Sequence, residues 1–271
     1  MRESQIMSEK VMIIGLDGGT FDVINPMIKN GKLPHIAEII KKGTSGTLLS
    51  SIPPTTPPAW TSFMTGKNPG KHGVFNFTQH EFDLSRESNK NLVNSLSINA
   101  RTIWEILSEH DKTLMVVNVP MTYPPWEING IMISGLIVPD EGSDFVYPPE
   151  LKREIFEEMG GYRVDNTMAP QTDLIGIKCW YFDNEERRHN VAMQLLKRYP
   201  WDAFMVVYSL TDRIGHYFWH YHDNQNLSND EEFVQTVSRS YERVDGMIGD
   251  LLATVNDRTT IFIISDHART L

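Results

Sequence analysis

Three apolar runs each lead directly into residues that can hold a metal ion. Val11-Met-Ile-Ile-Gly-Leu16 runs into Asp17-Gly-Gly, Ala203-Phe-Met-Val-Val-Tyr-Ser209 into Asp212-Arg-Ile-Gly-His216, and Thr260-Ile-Phe-Ile-Ile-Ser265 into Asp266-His267. Carboxylate oxygen and imidazole nitrogen are ligand types that suit divalent zinc or manganese. In an open parallel sheet, ligands gather at the carboxyl ends of the strands. The four-residue step from Asp212 to His216 places both on one face of a helical turn. Each element alone has an ordinary explanation. An Asp after a strand is more often a turn or cap residue than a ligand, and Asp212 could cap a helix with His216 unrelated to it.

A hydroxyl belongs with this set. Pro53-Pro-Thr-Thr-Pro-Pro-Ala-Trp-Thr-Ser-Phe-Met-Thr-Gly66 places Thr56 at the expected start of a helix. Free N–H groups and the dipole at such a start favour an incoming anion. A metal-bound hydroxyl there would be activated as a nucleophile. The competing reading is a plain cap, with Thr55, Thr61 and Ser62 as rival hydroxyls. Four separate segments carrying the right residue types to one sheet edge favour a two-metal site for phosphoryl transfer.

The elements that must position these residues alternate between strand-like and helix-like stretches. That argues an α/β fold with a mainly parallel sheet sandwiched by helices. Helices are expected over 34–42, 57–65, 100–109, 149–159, 173–198 and 228–255, with a capping signal at Ser228-Asn-Asp-Glu231. Further strands are expected at 46–50, 113–119 and 130–134. The stretches 76–99 and 140–200 fit the alternation less well and are expected to be cap insertions on a single domain spanning 1–271.

Composition narrows the function classes. The chain has 271 residues, 40% of them hydrophobic, enough to bury a core. A formal charge of −10 disfavours a nucleic-acid polymer as partner. It leaves small anionic substrates open, because bound cations reverse the local sign. A single cysteine, Cys179, gives no internal disulfide; beside Trp180 it is expected to be a buried thiol. There is no signal-like or membrane-spanning run, so a cytoplasmic protein without membrane association is expected.

The full pattern resembles the alkaline phosphatase superfamily, and within it the type I phosphodiesterase/nucleotide pyrophosphatase family with its microbial phosphohydrolase relatives. The resemblance rests on Leu16-Asp17-Gly18, Thr56-x-Pro58 nine residues before Thr65-Gly66, Pro69-x-x-His72-Gly73-Val74, Asp212-x-x-x-His216 and Ser265-Asp266-His267. It implies an alkaline phosphatase-like core and a small phosphate-ester substrate, a diester or a nucleotide pyrophosphate. It further implies Thr56 as nucleophile, one metal held by Asp17, Asp266 and His267 beside Thr56, and a second held by Asp212 and His216. Two divalent ions follow, zinc as the first expectation and manganese as the second. The family usually has Gly where this chain has Ala268, and it completes the second site with a His far downstream. The chain is therefore expected to be incomplete at its C-terminus. A catalytically impaired relative that only binds metal or anion, and a phosphomutase of the same superfamily, are the alternatives. A sulfatase would need Cys or Ser at the Thr56 position, a haloacid-dehalogenase phosphatase Asp-x-Asp after the first strand, and a P-loop enzyme a Gly-rich Lys-Ser/Thr run.

His72 reads as a turn or supporting residue. The aromatic run Tyr217–His222 reads as core packing before nucleobase stacking. Arg187 and Arg188 read as a solvated helix face.

Overall fold

A computed structural model describes residues 10–79, 91–164, 169, 173–223 and 231–268. The first strand, β1 (Lys10–Leu16), is followed by helices α1 (Phe21–Lys29), α2 (Pro34–Lys42), α3 (Thr56–Thr65) and α4 (Pro69–His72). A two-stranded ribbon, β2 (Thr78–Gln79) with β3 (Asn91–Leu92), precedes α5 (Ile103–Glu109), β4 (Leu114–Val119) and β5 (Gly130–Ser134). Then come β6 (Val146–Tyr147), α6 (Leu151–Glu158), α7 (Leu174–Arg198) and β7 (Ala203–Tyr208). The last elements are α8 (Leu210–Asp223), α9 (Glu231–Val234), α10 (Thr236–Leu252) and β8 (Thr259–Ile264).

The main sheet has the order β6-β5-β4-β7-β1-β8. Its pairs are parallel except for β5 with β6, which runs antiparallel at one edge. Each central strand feeds both faces, because successive side chains point to opposite sides. On β7, Phe204, Val206 and Tyr208 enter the larger core, under α1, α2, α7, α8 and α10. Met205 and Val207 enter the smaller one, with Trp60 of α3 and Trp104 of α5. Strand β4 splits in the same way. Strands buried on both faces read as continuous apolar runs, which is why they stand out in the sequence.

Gly15 has a specific task in this packing. A Cβ there would lie 2.5 Å from Trp60 Cη2 and 2.8 Å from Val207 Cγ2. Only a glycine leaves room there for the Trp60 indole of α3 against β1.

Several sequence expectations change in the structure. Residues 46–50 carry no regular secondary structure. The expected long helix at 228–255 is instead α9 and α10, interrupted at Gln235, and its capping signal at 228–230 lies outside the described residues. Helix α1 goes unread in the sequence because Pro26 sits inside it; Thr20 caps it by accepting the Asp22 N–H. Cys179 is exposed on α7 rather than buried. Helix α7 contributes Ile177, Tyr181, Val191 and Leu195 to the larger core. No described helix is long and apolar enough to cross a membrane.

Candidate metal centre and nucleophile

Parallel register does the first part of the assembly. Gly15 pairs with Ile264, so two residues further on Asp17 lies level with Asp266. Leu16 pairs with Tyr208, and the Asp17 N–H extends that ladder to the Tyr208 carbonyl at 3.0 Å. Asp212 returns from the first turn of α8, three residues past Ser209. Three elements distant in sequence thus end at one place.

The side chains converge there. Carboxylate oxygens of Asp17 and Asp212 and a ring nitrogen of His267 all lie within 4.8 Å of one another. Asp17 is 3% exposed and Asp266 8%. His267 Nε2 lies 3.5 Å from Asp17 Oδ1 and 3.3 Å from Asp266 Oδ2. Asp266 Oδ1 accepts the Gly18 N–H at 3.2 Å, whereas Oδ2 is buried and accepts no hydrogen bond. A buried carboxylate oxygen without a hydrogen-bond donor is costly unless a cation answers it. The residues therefore fit a divalent ion on their own chemistry.

Gly18 makes the turn possible. Its φ is +67°, and a Cβ there would lie 3.0 Å from Asp212 Cβ. Both facts call for glycine beside the carboxylate.

Thr56 is the first residue of α3, with Thr55 as the cap residue. It is 6% exposed, and its Oγ1 lies 3.0 Å from His267 Nε2 and 3.4 Å from Asp17 Oδ1. The rival hydroxyls go elsewhere. Thr55 is exposed, Thr61 is fully buried under the helix, and Ser62 meets His72 Nε2 at 3.0 Å. The helix start is a poorer amide cradle than expected. Pro57 and Pro58 bring no N–H and the Ala59 N–H is spent on Thr55, so at most the Thr56 N–H remains for an anion.

His216 lies 3.2 Å from Asp212 Oδ2 but is 58% exposed in its side chain. The compact donor group found among the described residues thus combines Asp17, Asp212 and His267, drawn from both halves of the expected pair of sites. Burial works to raise the Asp212 pKa, but the His216 hydrogen bond and the charges of His216, Arg213 and His267 outweigh it and hold the carboxyl below its ordinary value.

Asp266 behaves oppositely. Burial pushes its carboxyl up to about 6, against an ordinary Asp value of about 3.9. The metal-free fold therefore binds more protons than the unfolded chain between about pH 4 and 6, and this group's contribution to stability falls as pH rises through that window. The expected loss is roughly 2 kcal/mol. His72 and His189, whose pKa values burial lowers, work the other way on acidification. The Asp266 contribution is therefore isolated as the difference in urea stability between chelator-treated wild type and Asp266→Asn. That difference should shrink in favour of the variant from pH 4 to pH 7; a flat difference would contradict a carboxyl raised by burial.

The remaining candidates serve the scaffold. His72 is fully buried and accepts the Val74 N–H on Nδ1, so Nε2 carries the proton toward Ser62 and α3. In the aromatic run, Phe218 is fully buried and packs on Tyr221 and Phe233. Arg187 binds Asp183, and Arg188 is buried with Nη1 donating to Ser209 Oγ at 3.0 Å. Residues not singled out by sequence also reach the centre. Ser50 Oγ donates to the Asp266 carbonyl at 2.6 Å, Thr211 Oγ1 donates to the Asp17 carbonyl at 2.6 Å, and the Tyr241 hydroxyl accepts the Thr20 N–H at 3.3 Å. Only Thr211 carried a signal, its place beside Asp212.

A mostly parallel sheet between helical layers, with carboxylates and imidazole at its carboxyl edge, is the architecture of alkaline phosphatase-like hydrolases. Residues 11–270 match the family described as type I phosphodiesterase / nucleotide pyrophosphatase, and the chain belongs to that family. Among solved structures it is similar to phosphonoacetate hydrolase from Sinorhizobium meliloti 1021. The complex with phosphonoformate gives a TM-score of 0.63 at 15% identity, and that with phosphonoacetate 0.60 at 17%. Both alignments cover 96% of this chain and 56% of the other, so the chain spans little more than half the length of these neighbours. At such identity the likeness speaks for the fold. No significant match is found among curated proteins.

Proposed function

We propose that this chain is a metal-dependent phosphohydrolase that cleaves phosphodiesters or nucleotide pyrophosphates, with Thr56 as nucleophile. The observation that carries the reading is the approach of Thr56 Oγ1 to His267 and Asp17 beside the orphaned oxygen of Asp266. Asp17, Asp266 and His267 would hold one divalent ion next to Thr56, and Asp212 with His216 a second. Zinc suits this nitrogen and oxygen set, and manganese does so nearly as well. Bound divalent ions supply positive charge that favours an ionised hydroxyl and neutralises phosphoryl oxygens.

The chain's own residues do the rest. Thr56 Oγ1 is aimed by the first turn of α3 at Asp17 and His267, the residues that would hold the ion, and its proton passes to solvent water. Attack forms the Thr56 O–P bond as the ester P–O bond breaks, and water then cleaves the phospho-threonine. A small phosphate ester is the fitting substrate. Family membership and the clustered Asp17, Asp212 and His267 support this reading over a structural role.

A second reading has its own observation: Asp17, Asp212 and His267 each offer a donor atom within 4.8 Å of the others, which suits a single ion. Metal content per chain separates the two, with two ions or one as the result. Hydrolysis of bis(p-nitrophenyl) phosphate by the zinc- or manganese-loaded protein is the expected activity. Protein that takes up no divalent ion and leaves diester, pyrophosphate and monoester intact would overturn the proposal.

A further inference from the structure

The two carboxylates of the metal group sit on separate elements, one after β1 and one on α8, and something must hold them at a common distance. We infer that Thr211 is the positioning residue that does so. Its hydroxyl donates to the Asp17 carbonyl at 2.6 Å, a short buried bond between residues 194 apart in sequence. Thr211 is 3% exposed and immediately precedes Asp212. The Asp17 N–H is held at the same time by the Tyr208 carbonyl, so the β7–α8 connection grips both backbone groups of Asp17. Gly18 lies against Asp212 on the same contact. With its backbone pinned on both sides, Asp17 has only its own side-chain torsions left to vary. Residues behind metal ligands commonly set affinity in this way, and losing one costs about 10–100-fold.

The inference rests on the metal-site reading above, and the test separates the two. Thr211→Val keeps the shape and removes the donor; Thr211→Ser restores it. Zn²⁺ titration by calorimetry should show a 10–100-fold weaker dissociation constant for Thr211→Val and near-wild-type binding for Thr211→Ser. Ser240→Ala is the control. It removes another fully buried hydroxyl, whose partner is the Val237 carbonyl of its own helix, and Zn²⁺ affinity should hold. In the metal-free protein, amide exchange in the peptide covering residues 14–20 should quicken in Thr211→Val alone. Equal Zn²⁺ affinity or equal exchange in wild type and Thr211→Val would overturn the inference, as would parallel loss of affinity in Ser240→Ala. Wild-type protein that takes up no Zn²⁺ would overturn the metal reading and this inference together, a result distinct from failure of the clamp alone.

Discussion

Thr56→Ala is expected to lower phosphodiester turnover by about 10³-fold or more while leaving the fold and metal content nearly intact. The magnitude follows from geometry. Thr56 is the hydroxyl that the first turn of α3 delivers to His267 and Asp17, and none of Thr55, Thr61 and Ser62 can replace it without rebuilding that helix. The structural cost is small, since the helix is held by Trp60 and Met64 in the smaller core. Truncation of one small side chain of this kind costs on the order of 1 kcal/mol. Thr56→Ser should keep part of the activity, because the oxygen remains and only the methyl that restricts its rotamer is lost. The check is kcat for a model diester together with metal content and the urea midpoint of each variant. Wild-type turnover in Thr56→Ala would end the nucleophile assignment.

Asp266→Ala is expected to lose the ion beside Thr56, with affinity falling well beyond the 10–100-fold typical of residues behind the ligands. The buried Oδ2 has no hydrogen-bond donor and only the His267 ring at 3.3 Å, so a bound cation would compensate its burial. Asp17→Ala should act in the same direction, since Asp17 belongs to the same group of donor atoms. Asp266→Asn has a second, opposite consequence: without metal at pH 7 it should be more stable than wild type, because a desolvated charge is gone. Gain of stability with loss of metal is the signature of a residue kept for binding rather than folding. Elemental analysis of purified variants and metal-free urea titration measure the two halves. Undiminished metal content in either alanine variant would remove that residue from the site.

Much of the scaffold was legible because its signals are local. The strands β1, β4, β5 and β7 are buried on both faces and read as unbroken apolar runs. Helix α2 starts at Pro34 and stops at Gly43, and α7 starts after the capping Asp173, as their sequence punctuation suggests. Where local rules conflict with tertiary demand, the reading failed. Pro26 is the sixth of the nine residues of α1, where local rules would break a helix. Cys179 beside an aromatic looked buried, but the phase of α7 turns it outward.

The candidate centre divides in the same way. Residue identity was readable, since an Asp or Asp-His pair after an apolar run is a one-dimensional pattern. So was the helical step from Asp212 to His216, which α8 realises as a 3.2 Å contact. What required the folded chain is everything that depends on register and strand order. That Asp17 lies level with Asp266 follows from the pairing of β1 with β8, and that Asp212 joins them follows from β7 lying on the other side of β1. The loss of amide donors at α3 through Pro57 and Pro58, the orphaned oxygen of Asp266 and the grip of Thr211 on Asp17 are likewise tertiary facts. The types of candidate ligand are a property of the sequence, because chemistry belongs to single side chains. The geometry of the centre is decided by the sheet, because distances between residues two hundred positions apart exist only once parallel strands are in register.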